Sequence, residues 1–280
     1  MTVDAHHHFW DPSRREYPWM GEELSAIRRR FGPEELRPLL AQNKVDQTVL
    51  VQTISSVDET REFLETAGET DFIAGVVGWI DLTEGSVTEA IVRLKGESGG
   101  NRLVGIRHQV HDEPDPQWLL REDVQRGIAA VGKAGLVYDL LVRTRELPAA
   151  LETVKRHDWM RFVVDHAAKP RIAGGMWDHA WEAALAPLAE QPNVACKLSG
   201  LVTEADWKSW TAQQLEPYMS RVLDWFGPDR CIFGSDWPVC LVAADYAGVV
   251  ATARAIVGDD ANVFGGTATR VYGLAGRDTE

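Results

Sequence analysis

The sequence predicts an α/β chain that closes into a single (β/α)8 barrel of the TIM type, with residues 1–280 forming one domain. Three observations carry the prediction. Eight short β-like runs recur along the chain, segments of helical period lie between them, and the first run is not followed by a glycine-rich phosphate loop. Strands alternating with helices build right-handed βαβ units and a parallel sheet. Eight such units in 280 residues suit a closed barrel, for which roughly 250 residues is typical. An open doubly wound sheet would place a glycine-rich turn after its first strand, where this chain carries Phe9, Trp10 and Asp11.

The runs cover residues 3–9, 45–53, 72–81, 103–109, 136–142, 161–168, 194–200 and 230–238, and their starts lie 25 to 42 residues apart by subtraction. Between the fourth and fifth runs, Val124, Ile128, Val131 and Gly135 mark one face of a helix. Leu147, Leu151 and Val154 do so in the next interval, and Tyr246, Val249, Val250, Ala253 and Ile256 after the eighth run. The first run leads into "DPSRREYPWMGEEL", residues 11–24, a polar and aromatic stretch with two prolines. It reads as an ordered lid over one end of the barrel, with Tyr17, Trp19 and Met20 as its contacts.

Composition narrows the class of function. The chain is 45% hydrophobic and 25% charged, ordinary for a globular protein, and its formal charge of −13 argues against nucleic acid or an anionic membrane as partner. No basic stretch followed by an apolar core opens the chain, and no apolar run reaches the roughly 20 residues a bilayer requires. Cys196, Cys231 and Cys240 are widely spaced with no Cys-x-x-Cys, which fits reduced thiols and a cytoplasmic location. Nothing here speaks to oligomeric state.

The candidate chemistry begins in "VDAHHHFWD", residues 3–11. Three histidines inside an apolar run have the texture of a strand, not of a purification tag. Side chains alternate along a strand, so His6 and His8 share one face and His7 takes the other. Functional groups of a (β/α)8 barrel sit at the C-terminal ends of its strands. Those ends offer His6 and His8, Arg107 and His108, Asp139 and Arg143, Asp165 and His166, Lys197, and Asp236. Imidazoles of His6, His8 and His166 with the Asp236 carboxylate make a set of three nitrogens and one oxygen, suited to Zn2+ or another divalent transition metal.

Taken together, "DAHHHFWDP", "GIRH", "DHAAKP", "KLSGL", "FGSDWP" and "GGTATRVYGL" resemble the amidohydrolase superfamily, and within it the sugar-lactonase and dicarboxylate-lactonase branch of L-fuconolactonase- and L-rhamnonolactonase-like proteins. The resemblance runs over nearly the whole chain. It implies hydrolysis of a small sugar lactone to the sugar acid. Its metal ligands fall on His6, His8, His166 and Asp236. Strand five carries "VYDLLV" where many superfamily members place a further ligand, which argues for one Zn2+ and not two. A metal-free route, with imidazoles and a guanidinium polarising the carbonyl, is the alternative. In either version Asp236 is the general base, His166 stands beside it and Arg107 contacts the lactone oxygens. Lys197 is expected on a substrate hydroxyl, with His108 and Trp19 as further contacts. Trp79, Trp118, Trp177 and Trp237 are expected to form a rim for stacking the sugar ring.

Rival readings are weaker. "GESGG", residues 96–100, spells Gly-x-Ser-x-Gly but follows a helical run, whereas a nucleophile elbow follows a strand. "GIAAVGK" lacks the Ser or Thr of a phosphate loop. A decarboxylase of the same superfamily and a non-catalytic barrel that binds a sugar acid remain the alternatives.

Overall fold

A computed structural model describes residues 1–274. Its centre is an eight-stranded sheet in the order β1 (Val3–His7), β2 (Gln47–Val51), β3 (Ile73–Gly78), β4 (Leu103–Gln109), β5 (Val137–Leu141), β6 (Phe162–Val164), β7 (Val194–Leu198) and β8 (Cys231–Phe233). Every adjacent pair is parallel. Each strand is followed by a helix: α1 (Pro33–Asn43), α2 (Val57–Glu69), α3 (Val87–Gly96), α4 (Glu122–Lys133), α5 (Leu147–Arg156), α6 (His179–Ala189), α7 (Ala212–Phe226) and α8 (Tyr246–Val257), and α9 (Thr267–Tyr272) ends the described chain. The expected (β/α)8 barrel is therefore present. Among the described residues no helix is long and apolar enough to cross a membrane.

Local chemistry starts these helices where they start. Ser56, Asp178 and Asp245 accept backbone N–H groups of Glu59, Trp181 and Gly248, and Thr211 with Gln214 forms a capping box on α7. The anticipated apolar stripes face inward: Val124, Ile128 and Val131 of α4 and Leu147 and Val154 of α5 are fully buried. Gly135 lies beyond α4 in a left-handed turn, not on its stripe.

Alternate strand residues point into the barrel. Val3, Ala5, Val49, Val51, Val137, Val163, Ala195 and Ile232 form one apolar cluster with Ala268, Tyr272 and Leu274, so α9 plugs the N-terminal mouth. One layer higher the interior becomes ionic. Lys197 Nζ lies 2.6 Å from Asp139 and 2.9 Å from Asp165, all three fully buried, and Tyr272 donates its hydroxyl to Asp139 at 2.7 Å. The opposite strand faces, with Leu50, Ile106, Leu140, Val164 and Phe233, pack against the helices.

Two features of β1 aim the site. Asp4 pairs with Thr48 and His7 with Leu50, so Ala5 and His6 together oppose the single residue Val49. This bulge keeps Ala5 in the apolar layer and still turns His6 inward. The ring then closes across the seam between β8 and β1: Asp236 N–H donates to His6 O at 2.8 Å and His8 N–H to Trp237 O at 2.7 Å. Gly234 permits this approach, because a Cβ there would lie 2.6 Å from His6 Cβ.

Gly234→Ala is expected to cost about 1–3 kcal/mol, the usual range for overpacking, read as a lowered urea midpoint at unchanged slope. Lys197→Met leaves Asp139 and Asp165 facing each other without their cation. It is expected to cost about 3–5 kcal/mol, measured by the same unfolding curve at pH 7; an unchanged midpoint would show that the lysine contributes nothing to the fold.

Candidate active site

The expected strand ends run past the observed ones at the C-terminal face because the chain there leaves the sheet to present side chains. After β6, residues 165–168 were expected as strand. Instead His166, Ala167, Ala168 and Lys169 all adopt left-handed backbone, with φ of 53°, 49°, 58° and 54°. Each such residue costs about 1–2 kcal/mol, so the turn survives only because its surroundings hold it. Trp181 Nε1 donates to Ala167 O at 2.6 Å, Lys169 N–H to His166 O at 2.8 Å, and Lys169 Nζ meets Glu204 Oε1 at 2.8 Å. The result swings His166 towards the barrel axis. After β8, Asp236 is also left-handed, at φ 58°. Gly200 makes room for both, since a Cβ there would lie 2.5 Å from His166 Nδ1 and 3.0 Å from Asp236 Oδ2.

Three of the expected ligands converge. His6, His166 and Asp236 each offer a donor atom within 4.8 Å of the others, all buried. His8 stands outside that trio but next to it, its Nε2 3.3 Å from Asp236 Oδ1. The geometry also sets tautomers. His8 Nδ1–H donates to Val51 O at 2.7 Å, which leaves its Nε2 facing Asp236 Oδ1. A cation held between them would have a nitrogen and an oxygen ligand. His6 lies with Nδ1 3.4 Å from Asp165 and Nε2 3.8 Å from Asp236, the carboxylate-backed orientation of a metal-ligating histidine. Counting Asp236, Asp165 and Asp139 against Arg107 and Lys197, the buried cluster has one excess negative charge when the imidazoles are neutral. The donor set fits a divalent ion.

Protonation follows from burial and partners. Burial drives His6 well below its ordinary value and His166 down to about 4, so both are neutral at pH 7. Burial pushes Asp236 up, but His166 and His8 outweigh it and hold the carboxyl below the usual range. For Asp165 burial again raises, and Lys197, His6 and Arg107 bring it well below. Asp139 keeps the burial effect and rises to about 6.

Arg107 reaches the same place. Its Nη1 donates to Asp165 Oδ2 at 2.9 Å and approaches His6 Nε2 at 3.3 Å, and its Nη2 donates to the backbone and side-chain oxygens of Gln52. His8, Arg107, His166 and Asp236 open onto a cleft of about 560 Å³, and Trp19 from the 11–24 loop lines it as well. A larger cavity of about 750 Å³ lies away from these groups, between that loop and the first two helices, with Tyr17 in its wall. Met20 is 5% exposed and belongs to the core, so of the three expected loop contacts Trp19 alone faces this cleft.

Several expected contacts are corrected. Lys197 does not line the cleft, because its ammonium is fully buried between Asp139 and Asp165. His108 accepts from Trp79 Nε1 at 2.9 Å, donates to Glu113 Oε1 at 2.7 Å and stacks on Trp118 at 4.3 Å; His108, Trp79 and Trp118 form a structural cluster off the cleft. Trp237 is 1% exposed, packed edge-on against Phe9 and Phe31. Trp177 stacks on Tyr218 at 4.5 Å. None of Trp79, Trp118, Trp177 and Trp237 lines the cleft, although Trp79 and Trp177 are only half-buried. The cleft instead gains Thr53, Gln109, His111, Asp112, Leu141, Lys169 and Val239. His111 and Asp112 sit just past the fourth strand and Lys169 inside "DHAAKP", signals that position along the chain could have supplied.

Known proteins are similar to this chain over nearly its whole length. An L-fucono-1,5-lactonase of Burkholderia ambifaria is 41% identical, aligning over 97% of this chain and 95% of its own length. An L-fucono-1,5-lactonase of Burkholderia multivorans is 39% identical, over 98% of this chain and 96% of its own. A crystal structure of an amidohydrolase from Burkholderia multivorans with bound zinc superposes with a TM-score of 0.92 at 38% identity, covering 98% of this chain and all of the other. Residues 3–274 match the Amidohydrolase family, and with the barrel and its convergent His6, His166 and Asp236 in place, the chain belongs to that family.

Proposed function

We propose that the chain, working as one barrel domain over residues 1–280, is a lactonase that hydrolyses a sugar 1,5-lactone of the L-fucono type to its sugar acid. The observation that carries this is the convergence of buried His6 with His166 and Asp236 at a cleft that His166, Asp236 and Arg107 line, in a chain 41% identical to an L-fucono-1,5-lactonase.

His6, His8, His166 and Asp236 are the residues that would hold a single divalent cation, for which we take zinc. Such an ion supplies Lewis acidity towards the lactone carbonyl when bound. Asp236 is ionised at neutral pH, and as general base it takes a proton from the water whose oxygen attacks C1. Arg107, fixed by Asp165 and Gln52, offers positive charge where the carbonyl oxygen becomes an oxyanion. As the tetrahedral species collapses, the bond from C1 to the ring oxygen breaks, and Asp236 returns its proton to that oxygen. The new carboxylic acid ionises and releases one proton, which a pH indicator reads. Asp165 and Asp139 touch no substrate and act by holding Arg107, His6 and Lys197 in place.

Asp236→Asn is expected to lower kcat/KM on L-fucono-1,5-lactone by roughly 10²–10⁴-fold at an unchanged unfolding midpoint. Full activity in that variant would remove Asp236 from the mechanism. Removing metal with a chelator is expected to abolish most turnover, and one zinc per chain, counted by elemental analysis, to restore it. A metal-free preparation with undiminished kcat would instead assign carbonyl polarisation to Arg107 and the imidazoles alone.

A further inference from the structure

We propose, resting on the lactonase reading above, that the cleft selects its lactone by the substituent on C5, taking a methyl group against a carbon-lined wall formed by Trp19 and Val239. The wall is built where β1 and β8 meet. Trp19 lies in the loop after β1 and Val239 in the turn after β8, and these two loops pack on each other. Trp19 Nε1 is buried and, among the described residues, has no hydrogen-bond partner, so the face its side chain turns to the cleft is carbon. Trp10 braces it edge-to-face at 5.4 Å and is itself tied by Nε1–H to Ile27 O at 3.0 Å.

Across the ring the cleft is polar. Gln109 ends β4 and His111 and Asp112 follow it, across the barrel from the β8–β1 seam, and Lys169 follows β6 on the adjoining flank. Leu141, the apolar residue on that side, is 5% exposed and lies under His111, whose Nδ1–H reaches the Leu141 carbonyl at 3.4 Å.

A 1,5-lactone has a matching asymmetry. From C1, one arm of the ring is the ring oxygen and then C5 with its substituent. The other arm is C2 and C3 with their hydroxyls. With C1 held at Asp236 and Arg107, the two arms reach opposite walls. The reverse placement would press hydroxyls against indole carbon and Val239 with no partner, which is strongly disfavoured. The C5 substituent therefore meets Trp19 and Val239, and an apolar one fits best.

The test measures kcat/KM of the full chain on L-fucono-, D-arabinono- and L-galactono-1,5-lactone. These share ring configuration and carry methyl, hydrogen and hydroxymethyl at C5. The methyl lactone is expected to exceed the hydrogen lactone by roughly tenfold or more, the effect of one methyl in an apolar pocket. That ratio is expected to fall to within about threefold in Trp19→Ala and in Val239→Thr, the latter isosteric with valine and so safe for folding, and to persist in His111→Asn. A wild type that treats methyl and hydrogen alike, or a ratio that survives Val239→Thr, overturns the inference and leaves the lactonase reading standing. A wild type that hydrolyses none of the three lactones overturns both.

Discussion

Asp236 donates its backbone N–H to the carbonyl of His6, and His8 donates to the carbonyl of Trp237. Through these two bonds the first and last strands of the sheet become neighbours, and the site exists only because they do. His6 and His8 come from the opening residues of the chain and Asp236 from near its end. No local interaction brings them together; the closed ring of eight parallel strands does. The seam tolerates no side chain at Gly234, and the β1 bulge spends an extra residue to turn His6 inward. Barrel closure and site assembly are thus one event.

Closure also creates an electrostatic problem that the interior solves layer by layer. The lower layer is apolar and is sealed by α9. Above it Asp139, Lys197, Asp165 and Arg107 form a buried ladder of alternating sign that ends on His6. Desolvating any one of these charges alone would be prohibitive, and each is tolerated because the next compensates it. The ladder keeps Asp165 ionised beside His6, which fixes the imidazole so that its other nitrogen faces Asp236. The charged residues deepest in the barrel therefore hold the groups at its mouth in place.

Strain is concentrated at the same place. Four consecutive left-handed residues after β6 and a left-handed Asp236 after β8 are unfavourable for their residue types, yet they aim His166 and Asp236 at one point. The Trp181 indole and the Lys169–Glu204 pair hold the turn. The glycine opposite, Gly200, gives both side chains their space.

The eight strands, their helices and the identity of the convergent residues were legible in the sequence by itself, because period-two and period-3.6 patterns reflect burial that each segment must satisfy wherever it lies. His6 and His8 on one face, with His166 and Asp236 at strand ends, followed from that alternation and from the polarity of a parallel barrel. What the tertiary structure alone decided was which polar and aromatic side chains are already spoken for. Lys197 looked like a free cation at a strand end, but two carboxylates from β5 and the β6 turn claim it. Trp79, Trp118, Trp177 and Trp237 looked like a stacking rim, but each has an aromatic or hydrogen-bonding partner distant in sequence. Trp19 and Val239 form one wall only through the packing of two loops from opposite ends of the chain. A residue's type and period report the face it occupies, whereas its availability depends on neighbours that only the closed fold supplies.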